Sequence, residues 1–195
     1  IVVAKARQYF QEYGGNPSDL KLFINDYNLE TWWDGNKKAE SLVHWIETWE
    51  SDGVTKIDGI GTQMHVSYIL NEADQKAQED AIVNMFQILA ASGKLIKISE
   101  LDMGICEKAF GTGLKTEEVT FEQQQKMAEF YTFIIRKYFE IIPVEQQYGI
   151  TQWCATDSED KENVWRRGEP VGLWDLNYNR KPTYEGFLKG LSGEE

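Results

Sequence analysis

The stretch KLIKISELDM, residues 94–103, decides the fold. Branched apolar side chains such as Ile96 and Ile98 are typical of a buried strand, and the apolar run stops at two carboxylates, Glu100 and Asp102. Because a carboxylate is costly to bury without a partner, we expect both at the solvent-facing end of the strand, in a cleft with other polar groups. A strand that simply enters a solvated loop would look similar, so this interpretation depends on the other strands.

Three further stretches predict strands that end in the same way. They are residues 20–24 before NDYN at 25–28, residues 57–65 ending in Gln63 and His65, and residues 149–153 ending in Gln152 and Trp153. Helical patterns separate the strands, at residues 1–13, 36–52, 72–91, 120–142 and 183–191. Such alternation predicts a parallel sheet with helices outside, in which the polar strand ends meet at one edge.

The ends and faces of the helices carry their own signals. Asn36 is expected to cap the second helix, Thr120 begins a capping-box pattern, and Pro182 is expected to start the last helix. In the second helix, Trp45 and Trp49 lie at helical spacing with other apolar residues, so we expect them to pack in the core and not to contact a ligand.

Composition limits the class of partner. With 195 residues and 42% apolar content, the chain is long enough for one domain with a substantial core. Its net charge of −12 would repel nucleic acid and anionic membranes, so sugars, peptides and small neutral ligands remain open. The seven Trp and nine Tyr offer flat faces for stacking on sugar rings, although most such residues belong to cores.

The two cysteines, Cys106 and Cys154, lack the paired spacing of a zinc site, so no metal and no cofactor are expected. Both follow adjacent predicted strands at the same side of the sheet, which allows a disulfide. Free thiols are favoured, because Cys106 lies several residues out on a predicted mobile loop.

The sequence has no sign of membrane insertion or export. No apolar run approaches the ~20 residues that span a bilayer, and residues 1–5 do not read as a signal peptide. Because the sequence starts inside a predicted helix, we expect it to begin partway through a larger protein.

Four ordered motifs resemble those of a known family. They are NDYN at 25–28, GIGTQMH at 59–65, ISELD at 98–102, and ITQW at 150–153 together with WRRGEP at 165–170. These motifs resemble the glycoside hydrolase family 10 endo-β-1,4-xylanases, whose fold is a (β/α)8 barrel. The resemblance implies that the chain is the C-terminal half of the barrel, strands five to eight with their helices. Residues 1–195 would then be a partial catalytic domain that lacks the N-terminal half.

The resemblance also implies a chemistry, the retaining hydrolysis of internal bonds of β-1,4-xylan. Retaining enzymes place two carboxyl groups about 5–5.5 Å apart, one as nucleophile and one as acid and then base. Glu100 matches the family's nucleophile, with His65 as its contact and Asp102 as the group that orients His65. A lone histidine is more often structural, but this match favours a role in the site for His65.

Six residues resemble the family's substrate contacts: Asn25, Tyr27, Gln63, Trp153, Trp165 and Arg166. Trp153 and Trp165 would line the sugar site on one side of the cleaved bond, and Tyr27 would stack on the sugar on the other side of that bond. Four others are left open between sugar contact and scaffold: Glu30, Trp32, Trp33 and Trp174. The expected partner is xylan or a xylo-oligosaccharide, and the family implies a secreted, cell-surface or periplasmic protein.

Three features depart from the family pattern. Cys154 stands where the family usually has glycine, and the loop at 157–164 is longer than usual. The family's acid/base glutamate, in a WDVVNE motif at the fourth strand, has no counterpart in the sequence. We therefore expect this chain by itself to be inactive, and to self-associate or dock to the missing half of the barrel.

Two other functions remain open from the sequence. The chain could be a non-catalytic xylan-binding fragment that uses the same aromatic residues without cutting a bond. It could also belong to a related barrel glycosidase that acts on another β-glucan.

Overall fold

A computed structural model describes residues 1–193. Its elements in chain order are α1 Val2–Glu12, β1 Phe23–Asp26, α2 Lys37–Glu50, β2 Gly59–Thr62, β3 His65–Ile69, α3 Glu72–Ala91, β4 Leu95–Cys106, α4 Phe121–Ile141, β5 Gln147–Gln152 and α5 Pro182–Ser192. Short 3-10 helices lie at Thr116–Glu118 and Val144–Gln146. All strand pairs are parallel, so the predicted parallel α/β arrangement is confirmed.

Strand β4 is the centre of the sheet. It pairs with β2 and β3 along one side and with β5 along the other, and β1 pairs with the far side of β2. The single strand predicted at 57–65 is split, because Met64 adopts a left-handed φ of 58° between β2 and β3. Strand β4 also runs to Cys106, three residues beyond the predicted end, so Cys106 lies in a strand and not on a loop.

Helices α2, α3 and α4 pack through buried apolar faces, whereas α1 has no buried residue and α5 packs on α4. A single buried phenol fixes α4 on two strands: the Tyr138 hydroxyl donates to the Ile96 carbonyl at 2.8 Å and accepts from the backbone N–H groups of Tyr148 and Gly149 at 3.0 and 3.1 Å. Satisfying these backbone groups inside the core avoids a desolvation cost. Among residues 1–193, no helix is both long enough and apolar enough to cross a membrane.

All three helices begin at the predicted residues, and two of the three predicted starting signals are confirmed; the side-chain cap at Asn36 is not. Thr120 forms a capping box with Gln123, and Pro182 is the first residue of α5. The prediction for Asn36 is wrong. Its φ is 59° and its side chain caps nothing; its amide instead donates to the carbonyls of Leu29 and Ala81 at 2.9 and 3.1 Å. Asn36 therefore ties the loop after β1 to α3.

The prediction that Trp45 and Trp49 pack in the core is also wrong. Trp45 is 50% exposed and Trp49 is 42% exposed, and the two rings stack on each other with centroids 6.3 Å apart. The buried stripe of α2 consists of Ala39, Leu42 and Ile46. The periodicity located the inward face correctly, but the two indoles lie at its edge, because a helix of this size buries only a narrow stripe.

A buried ion pair anchors the long loop between β5 and α5. Lys181 Nζ donates to Asp157 and to the carbonyls of Pro170 and Gly172, and Asp157 also accepts from the Gly172 N–H at 3.0 Å. Burial raises the pKa of Asp157 and lowers that of Lys181, and their pairing acts against both shifts. The pair thus holds the loop against the start of α5.

Replacing Lys181 with Met should lower the free energy of unfolding by about 3–5 kcal/mol, because Asp157 would keep a buried charge without its counterion. Urea unfolding followed by circular dichroism measures the change. Lys126→Met is a matched control, since Lys126 pairs with Glu129 on the exposed surface of α4 and should change stability little. Equal unfolding midpoints for the two variants would contradict the importance of the buried pair.

Candidate active site

Glu100 lies at the carboxyl end of the sheet, and polar neighbours hold both of its side-chain oxygens. Asn25, in β1, donates from Nδ2 to Glu100 Oε1 at 3.1 Å. His65, the first residue of β3, places Nε2 3.3 Å from Oε2. The carboxylate side chain is 20% exposed, so it is fixed in position yet open to a ligand.

The orientation of Asn25 is itself fixed by its neighbours. Ser99 Oγ donates to Asn25 Oδ1 at 2.6 Å, which turns the amide nitrogen toward Glu100. A Cβ on Gly61 would overlap Asn25 Oδ1, so glycine is needed there to leave room for this amide. Sequence reasoning placed Asn25 at the right strand end but did not predict its contact with Glu100.

His65 lies between two carboxylates. Its Nδ1 is 3.1 Å from Asp102 Oδ1, and although the two atoms are not aligned for a linear hydrogen bond, their charges interact at this distance. The ring faces Glu100 and not the core; the 3.3 Å separation slightly exceeds the ~3.2 Å expected of a hydrogen bond. Burial alone would lower the pKa of His65, but the contacts with Asp102 and then Glu100 outweigh it and raise the pKa above its usual value.

Asp102 is the most connected group of the site, and its side chain is completely buried. In addition to its contact with His65, Asp102 accepts hydrogen bonds from Trp165 Nε1 at 2.5 Å and from the Cys154 thiol at 3.7 Å. Arg166 Nε lies 3.6 Å from its other oxygen. Sequence reasoning assigned Trp165 and Arg166 to the sugar and missed their contacts with Asp102. The available signal was a charged residue between two buried apolar positions of a strand, which requires partners.

Arg166 also contacts two other side chains, those of Glu169 and Ser67. Its Nη1 lies 3.4 Å from Glu169 and donates to Ser67 Oγ at 3.1 Å. The guanidinium therefore lies between the buried Asp102 of β4 and the partly buried Glu169 of the loop after β5. Direct sugar binding by Arg166 stays a prediction.

Aromatic rings flank His65. The ring of Trp165 lies 4.7 Å from the imidazole centroid and that of Trp153 lies 5.8 Å from it. Trp153 is 51% exposed and Trp165 is 47% exposed, so each leaves an open face beside the Glu100 carboxylate. An exposed indole next to a carboxylate is a suitable surface for a sugar ring.

Tyr27 and Gln63 make fewer contacts with this cluster. Tyr27 is exposed, and Lys38 Nζ lies 3.7 Å from the centroid of its ring, so one face of the phenol already holds a cation. Lys38 was not predicted, because a lysine in the first turn of a helix usually marks a solvated face. Gln63 lies between β2 and β3, and its side chain makes no hydrogen bond to any described residue.

Both cysteines are free thiols. Burial and then the charge of Asp102 raise the pKa of Cys154 to about 12, so the thiol stays protonated and can donate to Asp102. Cys106 is buried within β4, and burial raises its thiol pKa too. The expectation of unpaired cysteines agrees with the structure, but its stated reason, a mobile loop at Cys106, is wrong.

Among the four residues left open by the sequence, Trp174 belongs to the scaffold, since it packs edge-on against Tyr184 with centroids 5.0 Å apart. Glu30 is buried, and Trp32 and Trp33 contact each other in the loop after β1. Within the described residues, no group of three or more His, Cys, Asp and Glu side chains is arranged so that it could hold a metal ion.

Replacing Asp102 with Asn should lower the pKa of His65, because the charge that outweighs burial is removed. NMR titration of labelled histidine measures this, and His44 on α2 is the internal control. The raised pKa means that His65 stabilises the fold fully at low pH and that this contribution is lost as pH rises through the folded-state pKa. An unchanged titration of His65 in the variant would contradict the assigned role of Asp102.

Comparison with known proteins gives a consistent result. The model of glycosyl hydrolase family 10 matches residues 3–190. The endo-β-1,4-xylanase Xyn10C of Cellvibrio japonicus is 30% identical over 190 residues, which cover 89% of this chain and 28% of that protein. Endo-1,4-β-xylanase 2 of Aureobasidium pullulans is 29% identical over 193 residues, covering 95% of this chain and 47% of that protein. The chain thus spans less than half the length of these relatives.

Solved structures agree. A variant of xylanase 10C from Cellvibrio japonicus in complex with xylopentaose superposes with a TM-score of 0.73 at 26% identity, over 100% of this chain and 38% of that one. The family 10 structure from Paenibacillus barcinonensis gives a TM-score of 0.70 at 28% identity, over 97% of this chain and 50% of that one. The predicted fold, part of a (β/α)8 barrel, is confirmed. With a family match that extends over almost its whole length, this chain belongs to glycosyl hydrolase family 10.

Proposed function

We propose that this chain supplies the nucleophile side of the active site of a retaining endo-β-1,4-xylanase. One observation carries the proposal: Glu100 is a partly exposed carboxylate in the central strand β4, just past the point where β1 and β2 end, and Asn25 and His65 contact its two oxygens. The two relatives described above are named xylanases, and a solved relative carries xylopentaose, which supports xylan as the substrate.

The geometry around Glu100 suits nucleophilic attack. The neighbouring Asn25 amide and the His65 imidazole stabilise the anion and fix its orientation before the sugar arrives. Attack on the anomeric carbon would form an ester between the sugar and Glu100, and water would then hydrolyse that ester with retention of configuration. Trp153 and Trp165 would stack on the sugar rings beside the reacting carbon.

A second carboxyl group must protonate the leaving oxygen, and it must stand about 5–5.5 Å from the nucleophile. Asp102 is poorly suited, because it is completely buried and its oxygens already face His65, Trp165 and Arg166. We infer that the general acid comes from a segment outside these residues. By itself the chain would then bind xylan without cutting it.

The sheet offers a place for such a segment to dock. Among the described strands, β1, β3 and β5 each pair with only one other strand, so each has a side without a strand partner. Unpaired edges invite pairing with further strands, and closure into a barrel removes such edges. The proposed partner is therefore the remaining part of the barrel. The family resemblance supports a secreted, cell-surface or periplasmic location as part of this proposal.

In the complete protein, Glu100→Gln should lower kcat at least about 10³-fold and leave xylo-oligosaccharide affinity nearly unchanged, because it removes the nucleophile and little ground-state contact. Release of reducing sugar and calorimetric binding measure the two quantities. Glu145→Gln makes the same chemical change at an exposed position and should leave both unchanged. A Glu100 variant with a tenth of the parent activity would end the assignment.

The 195-residue chain alone should not hydrolyse xylan, since general-acid help is worth about 10²–10⁴ in rate and the cleft would be incomplete. The purified chain is assayed on xylan with and without the rest of the barrel, and its mass in solution is measured. Activity that appears only in the mixture is the expected result. Product release by a soluble monomer alone would overturn the proposal that the acid lies elsewhere.

A further inference from the structure

A cavity of about 180 Å³ opens beside His65. It lies between the loop after β1, strand β3, helix α3 and the loop after β4. Its main lining residues are Glu30, Trp32, Trp33, His65, Gln78 and Phe110. Because His65 also contacts Glu100, the cavity adjoins the candidate active site without including the nucleophile.

Glu30 gives the cavity an unsatisfied polar group. The residue is only 6% exposed, and its Oε2 is buried without a hydrogen-bond partner in the described part of the chain. Burial raises the pKa of Glu30; nearby backbone N–H groups and the charges of His65 and Lys38 act in the other direction but are weaker. A buried carboxyl oxygen without a partner costs free energy, and a ligand hydroxyl would recover it.

The opening of the cavity is aromatic. The rings of Trp32, Trp33 and Phe110 contact one another, with centroid separations of 6.0, 5.8 and 5.1 Å. Trp33 is 53% exposed and Phe110 is 76% exposed. Phe110 is also held at a φ of 58°, a conformation that costs energy for a bulky residue. Exposed rings kept in such a position suit stacking on a ligand.

Most other polar groups of the cavity are already engaged. Gln78 Nε2 donates to the Ser67 carbonyl at 2.9 Å, and Thr31 Oγ1 donates to Asp34 at 2.6 Å. Glu30 and Asn28, whose side-chain amide makes no hydrogen bond to a described residue, are left for a ligand. One carboxyl group beside an aromatic face suits a neutral ring that bears hydroxyls, and the chain's charge of −12 disfavours an anion.

We propose that this cavity is an additional subsite for one neutral sugar ring, which hydrogen-bonds to Glu30 and stacks against Trp33 and Phe110. The inference rests on the proposed xylanase function, because the cavity adjoins His65. The ring could be a further unit of the xylan main chain or a neutral sugar substituent on it, and both present the same hydroxyls and apolar face.

The test uses the complete protein with Glu100→Gln, so that ligands are not cleaved. Calorimetry measures Kd for unsubstituted xylo-oligosaccharides of increasing length and for arabinose-substituted ones. Glu30→Leu and Trp33→Ala are the test variants. Trp45→Ala is the matched control, because Trp45 is similarly exposed but lies on α2, outside the cavity.

Each test variant should raise Kd about tenfold over the parent protein for the ligand that fills the cavity. The Kd of the shortest ligand that binds should not change. If affinity falls only for the longer unsubstituted ligands, the sugar in the cavity is a unit of the xylan main chain. If affinity falls only for the substituted ligands, it is a substituent. Trp33→Ala changes an exposed residue, so it keeps the test decisive if Glu30→Leu does not fold.

Two results would count against the subsite. If ligands bind the parent protein and Trp33→Ala changes no Kd more than Trp45→Ala does, the subsite is wrong and the proposed function stands. If no xylo-oligosaccharide binds the parent protein at all, the proposed function fails together with the subsite.

Discussion

The buried charge of Asp102 is the constraint on which the site depends. A completely buried carboxylate is stable only with counterions and donors, and this one draws His65 from β3 and Trp165, Arg166 and Cys154 from the region after β5. One side chain in the central strand thereby fixes the positions of groups from three parts of the chain.

This arrangement links the fold to the chemistry at Glu100. Strand alternation places Glu100 and Asp102 on the same side of β4, one reaching the cleft and the other remaining inside. Asp102 holds one nitrogen of His65 so that the other faces Glu100. The orientation of the proposed nucleophile is therefore supported from within the core, which is how a fold can keep a reactive group in position before a ligand binds.

The rest of the structure keeps this strand end in place. Tyr138 fixes the outer helix on the start of β4, and the Lys181–Asp157 pair fixes the loop that carries Trp165. Both use buried polar contacts.

The sequence by itself determined the alternation of helices and parallel strands, the capping box at Thr120 and the strand that carries Glu100, because apolar periodicity and caps are local properties. Only the tertiary structure decided which side chains meet. Asn25 reaches Glu100 across 75 positions, and Trp165 reaches Asp102 across 63. Such contacts depend on strand register and on loop paths, which no local pattern specifies. For the same reason the bridging role of Asn36 appeared only once the loop after β1 was packed on α3.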